Sequence, residues 1–124
     1  MKRNLDTILF NVKRGNKYEN ICFTDLTPDE AKFVIENKSD EWLISLCEML
    51  FEVLDEMLEL IHDDKFVSIV KGVMGAAKEI SIYYRVHTIR AAIISIGELY
   101  DIRRGDEKDE EWLLYNKGND YKLL

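Results

Sequence analysis

Hydrophobic and polar positions alternate along two short stretches near the start of the chain. Ile8, Phe10 and Val12 alternate with Thr7, Leu9, Asn11 and Lys13, and Ile21 and Phe23 alternate with Asn20, Cys22 and Thr24. A period of two is that of a half-buried strand. Between the stretches lies Arg14-Gly15-Asn16-Lys17, and a two-residue Gly-Asn loop suits the primed hairpin turns, which need positive φ. The pattern predicts a β-hairpin over residues 7–24, with Phe10 opposite Ile21 and Ile8 opposite Phe23 on one face. A two-stranded ribbon is marginal in water, so this one must pack on helices or on another chain.

From residue 27 the period becomes helical. Thr27-Pro28-Asp29-Glu30 carries an N-cap, a proline at the first helical position and the Glu of a capping box, which predicts a helix over residues 28–37. Ser39, followed by Asp40 and Glu41, predicts the start of a second helix over residues 40–62. Its polar positions, Glu41, Ser45, Glu48, Glu52, Asp55, Glu59 and His62, advance in alternating steps of four and three and form one narrow stripe; after Asp40, all the rest except Glu56 are apolar. That apolar arc is about twice the roughly 100° stripe of an ordinary surface helix. Such a helix is either central or shared with a partner chain. A short chain has few helices to surround it, so the pattern favours a homodimer with this helix or the hairpin at the interface.

Residues 66–104 are again mostly helical in pattern. One uninterrupted helix would be about 58 Å long at 1.5 Å per residue, so a break is expected near 85–88, giving helices over 66–84 and 88–104. Ile80, Ile82, Tyr84 and Val86 also alternate, which fits a strand as well. Gly105 is the expected stop. A final helix is expected over 107–116, anchored by Trp112, Leu113 and Tyr115 and ended by Gly118. The fold class that results is mainly α: an N-terminal β-hairpin followed by a four- to five-helix bundle-like single domain over 1–124.

Length and composition agree with one core. At 124 residues the chain is too short for two, and its 47% hydrophobic and 33% charged content is that of a globular protein, not a disordered one. No run approaches the ~18 apolar residues of a membrane helix. The basic start, Met1-Lys2-Arg3, lacks the apolar core and small-residue cleavage site of a signal peptide. Cys22 and Cys47 lie inside apolar stretches, as buried thiols do in a reducing compartment. The expected location is cytoplasmic.

Charge changes the picture more. Seventeen Lys and Arg against 24 Asp and Glu give −7, which disfavours direct binding to nucleic acid or an anionic membrane. Residues 39–64 hold nine acids and no base, whereas residues 65–104 hold seven bases and three acids. The acidic stripe therefore either lines a seam with a basic neighbouring helix or receives a basic protein partner. Its central part, Glu48, Glu52, Asp55 and Glu59, is the candidate binding site.

Catalytic readings are thinner. Glu52-x-x-Asp55 and Glu98-x-x-Asp101 resemble the paired carboxylates of the all-α nucleotide pyrophosphohydrolases of the MazG and dimeric dUTPase type. The likeness covers those four residues; the extra adjacent Glu of that family's first motif is missing and the gap between motifs is longer. It implies an alternative in which Glu52, Asp55, Glu98 and Asp101 hold Mg²⁺ for nucleotide hydrolysis. Glu59-x-x-His62 has the spacing of a di-iron ligand pair, but no second pair accompanies it. Gly72-x-x-Gly75-Ala76-Ala77 sits mid-helix, where it permits close backbone approach and forms no phosphate loop. Lys13, Arg14 and Lys17 make a basic hairpin tip. The chain thus reads as a small acidic protein that is non-catalytic, carries no cofactor and acts by protein–protein binding. An inhibitor, adaptor or accessory factor of the sort mobile elements encode fits that description. A further alternative is an acidic nucleic-acid mimic.

Overall fold

The computed structural model describes residues 3–104 and 112–114. Strands β1 (Leu9–Arg14) and β2 (Lys17–Cys22) form an antiparallel hairpin. Helices α1 (Pro28–Ile35), α2 (Asp40–Glu59), α3 (Asp64–Ala77) and α4 (Ile82–Leu99) follow, and two three-residue strands, β3 (Ile102–Arg104) and β4 (Trp112–Leu114), pair antiparallel. The protein is mainly α with an N-terminal hairpin, as the periodicities imply. No helix among the described residues is long and apolar enough to cross a membrane.

The hairpin has the register its alternation dictates: Phe10 pairs with Ile21, and the Phe23 amide donates to the Ile8 carbonyl at 3.0 Å. Gly15 takes φ +65°, the backbone that a tight hairpin turn demands at its first central residue. The inward face meets α2, where Phe10 packs against Trp42 and Phe23 with ring centres 6.3 and 5.6 Å away. The ribbon is thereby stabilised by its own helices.

The helix starts follow their caps. The Glu30 amide donates to Thr27 Oγ1 and the Thr27 amide to Glu30 Oε1, a complete capping box. Ser39 Oγ accepts from the Trp42 amide, and Asp63 Oδ1 from the Phe66 amide. Asp63 thus starts α3 two residues earlier than the apolar pattern indicates.

Three expected boundaries are corrected. The break between the third and fourth helices lies at 78–81, not 85–88. Arg85 is in the first turn of α4, and its guanidinium donates to the Lys78 and Ile80 carbonyls at 2.8 and 2.9 Å, satisfying groups that the end of α3 leaves open. The alternating stretch Ile82–Val86 is accordingly helix. The fourth helix ends at Leu99 because Asp101 adopts φ +49°, which Asp tolerates better than most residues; Ile102–Arg104, expected to be helix, is strand. Of the helix expected over 107–116, Trp112–Leu114 is strand and the remainder lies outside the described residues.

The core forms where α2 packs on α4. Leu46, Leu50, Leu54 and Met57 meet Val86, Ile89, Ile93 and Ile96, with Phe23, Tyr100 and Ile102 closing the ends. Each such side chain contributes about 1.5–3 kcal/mol on burial. The wide apolar arc of α2 is covered largely by its own chain: eight of its residues are buried. Of the remainder, Ile44 and Met49 are exposed and lie on opposite flanks of the acidic stripe. The arc is that of a central helix.

Candidate functional site

The acidic stripe is a real surface. Glu41, Glu48, Glu52, Asp55 and Glu59 are all exposed, because at 100° per residue they fall opposite the buried positions of α2. The structure divides them. Glu48 and Asp55, seven residues apart, line a groove of about 390 Å³ between α2 and α3, whose far wall carries Lys71 and Lys78, also seven apart. Phe51 lies between, its ring 5.5 Å from Lys78 Nζ. Carboxylates therefore face ammonium groups across the groove, yet none of Glu48, Glu52, Asp55 and Glu59 comes within 4 Å of a basic side chain among the described residues. Glu52 and Glu59 do not line the groove. The seam neutralises one side of the stripe loosely and leaves the other acidic.

The carboxylates of the alternative reading do not gather. Glu52 and Asp55 are exposed on the side of α2 away from its contact with α4, the helix that carries Glu98. Asp101 sits beyond the end of α4, 3.6 Å from Arg103. Among the described residues no cluster of three or more His, Cys, Asp or Glu could hold a metal ion, so the Mg²⁺ arrangement implied by the pyrophosphohydrolase likeness is not formed. His62 is exposed beyond the last turn of α2.

The basic hairpin tip is only partly free. Arg14 turns back onto α1 and grips Glu30 in a two-pronged pair, Nε to Oε2 at 3.1 Å and Nη2 to Oε1 at 2.8 Å. That pair, together with the cap bond from Thr27, holds the Glu30 carboxyl down to about 2. Lys13 and Lys17 remain exposed.

A buried polar cluster escaped the reading of the sequence. Asp6 is almost completely enclosed and accepts four hydrogen bonds, from the amides of Ile8, Phe23 and Thr24 and from the Thr24 hydroxyl at 2.7 Å. Asp25 accepts from the Arg3 and Asn4 amides and from Cys22 Sγ. Arg90, buried on α4, donates to the carbonyls of Phe23 and Leu26. The cluster clamps the N-terminal segment and the turn at Phe23–Asp25 onto α4. A signal was present for one member: Arg90 is a single charge in the otherwise apolar run Ile89–Ile94, which marks a charge that must be paired on burial; Asp6, among Arg3, Asn4 and Thr7, gave none.

Both thiols are held protonated. Burial, with the negative charges of Asp6 and Asp25 beside it, pushes Cys22 up to about 12. Burial also raises Cys47. His87 is moved the other way: burial first, then Arg90 and Lys32, lower its affinity for a proton. Its ring stacks edge-on against Tyr83, 5.0 Å away. No protein-family model, curated protein or solved structure matches the chain.

Proposed function

We propose that this protein acts by binding another protein through the acidic face of α2, with Glu48, Glu52, Asp55 and Glu59 receiving a basic surface. It works as an inhibitor, adaptor or accessory factor and performs no chemistry of its own. The observation that carries this reading is the stripe of exposed carboxylates with no ion-pair partner within 4 Å among the described residues. Like charges at i,i+4 and i,i+3 destabilise a helix by about 0.2–0.5 kcal/mol per pair, so a surface that keeps them has a use for them outside the fold. The lysines facing Glu48 and Asp55 interrupt the run of negative charge, which makes the helix a poorer copy of a phosphate backbone than of a protein-docking ridge.

The test is affinity capture from the native host with the immobilised chain, eluted by a salt gradient. Exposed charge contacts are screened over about 10 Å at 0.1 M salt. A basic protein retained at low salt and released as salt rises supports the reading. Retention that ignores salt, or retention only of acidic proteins, contradicts it.

A further inference from the structure

The groove between α2 and α3 carries charge of both signs, and the two signs do not pair with each other. Glu48 and Asp55 stand on the α2 wall and Lys71 and Lys78 on the α3 wall, with Phe51, Leu58 and Met74 between them. All four charged side chains are exposed, and none of them comes within 4 Å of an opposite charge among the described residues. The cause lies in the packing: α3 rests on α4 and stands off α2, so the charges of the seam face each other without closing. α2 ends at Glu59 and α3 begins at Asp64. Lys71, nearer that turn, therefore sits at the Asp55 end of the groove and Lys78 at the Glu48 end.

We propose that this groove receives one amphipathic helix of a partner protein, with bases along its flank over α2, acids along its flank over α3 and an apolar ridge between. The inference rests on the reading of α2 as the docking face, and it makes the partner's contact bipolar where that reading alone asks only for a basic surface. Charge complementarity selects the two signs. A segment that is only basic satisfies Glu48 and Asp55 but is repelled by Lys71 and Lys78 across the groove; a segment with both signs meets all four. Spacing selects a helix. The two charges on each wall are seven residues apart, about 10.5 Å along the axis. A helix laid in the groove matches that interval with its own i and i+7 positions, which share one face. A strand covers the same interval in about three residues, which turns the second side chain to the opposite face. The apolar ridge has its seat on Phe51, Leu58 and Met74, and the helix body lies above it.

Titration of the full chain with two synthetic helical peptides tests it. Both carry the same leucine ridge. The bipolar peptide has lysines at i and i+7 on one flank and glutamates at i and i+7 on the other; the basic peptide has lysines on both flanks. The wild-type chain should bind the bipolar peptide about tenfold more tightly, since two attractive contacts replace two repulsive ones. The Lys71/Lys78→Gln variant, checked by melting, should bind the bipolar peptide about threefold or more weakly and the basic peptide more tightly. Those opposite movements are the signature of a bipolar groove. A wild-type chain that binds the basic peptide as tightly as the bipolar one overturns the inference and leaves the acidic docking face standing. Absence of binding to either peptide, or binding indifferent to Lys71/Lys78→Gln, also overturns it. Binding of both peptides unchanged in Glu48/Asp55→Gln would remove the acidic face as well, so the two readings fail separately.

Discussion

The Arg90 guanidinium lies 5.5 Å from the centre of the Phe23 ring and donates through Nε to the carbonyl of that same residue at 3.2 Å. One side chain thus joins α4 to a turn 67 residues earlier in sequence, covering an aromatic face and satisfying backbone acceptors together. With Asp6 on the other side of the turn, it fixes the strand-to-helix crossing that seats the hairpin on the helices.

Replacing Arg90 should be the most damaging polar change in the protein. Arg90→Met leaves the Leu26 carbonyl without its donor and Asp6 without a nearby positive charge. The expected loss is about 2–4 kcal/mol, read as a lower urea midpoint with an unchanged slope. Arg90→Lys should recover only part of it, because an ammonium cannot reproduce the spread of a guanidinium. A loss under about 0.5 kcal/mol, the range of ordinary surface changes, would show that the clamp is dispensable.

Close packing gives a second prediction. A Cβ on Gly97 would stand 2.6 Å from Cδ1 of Leu5, which is fully buried. Gly97→Ala therefore displaces Leu5 and should lower stability by about 1–3 kcal/mol despite the better helix propensity of alanine. Shortening the neighbour should relieve it: Gly97→Ala with Leu5→Val should be less destabilised than the sum of the two single changes. Strict additivity would mean the two side chains do not compete for the same space.

Both thiols should be silent toward a soluble alkylating reagent in the native state, and both should react on unfolding. Cys22 and Cys47 are buried, and their thiols are held protonated at neutral pH; the thiolate is the reactive form. Rapid modification of either cysteine in the folded chain would contradict the packing described.

Stability should fall with pH in two windows. Glu30 titrates near 2 in the fold against an ordinary 4.5; its contribution is complete above about pH 4.5 and disappears as pH falls toward 2. Arg14→Gln should flatten that acid limb. His87 is lowered from 6.5, so the unfolded chain takes up its proton first as pH drops through the mid-sixes, and the fold loses stability below that point. In His87→Gln the melting temperature should be flatter as pH falls below about 6.5. Unchanged slopes in both variants would assign the pH dependence to other groups.

Local chemistry made much of the fold legible. The hairpin register, the Thr27–Glu30 capping box and the Ser39 cap are each encoded within a few residues, and each forms as its pattern implies. What was not legible depends on distant partners. Nothing near Arg85 reveals that its side chain will close the end of α3 and so set the helix break at 78–81. Asp101 gives little warning that it will take a positive φ. The width of the apolar arc on α2 was read correctly, but whether its own chain or another would cover it depends on how α4 packs. The acidic stripe was legible as a line of carboxylates; its division by Lys71 and Lys78 needed the antiparallel seating of α3.

The acidic face of α2 carries the central claim, and one comparison bears on it most directly. Capture from the native host is repeated with the wild-type chain and with the Glu48/Glu52/Asp55/Glu59→Gln variant, both checked by melting, and the retained proteins are quantified side by side. The variant should keep its fold, shifting in melting temperature by only a few degrees, since exposed charge pairs are worth about 0–1 kcal/mol each. It should lose the salt-sensitive basic partner that the wild type retains. A partner bound equally by both would assign the carboxylates to the seam with α3 and contradict the account.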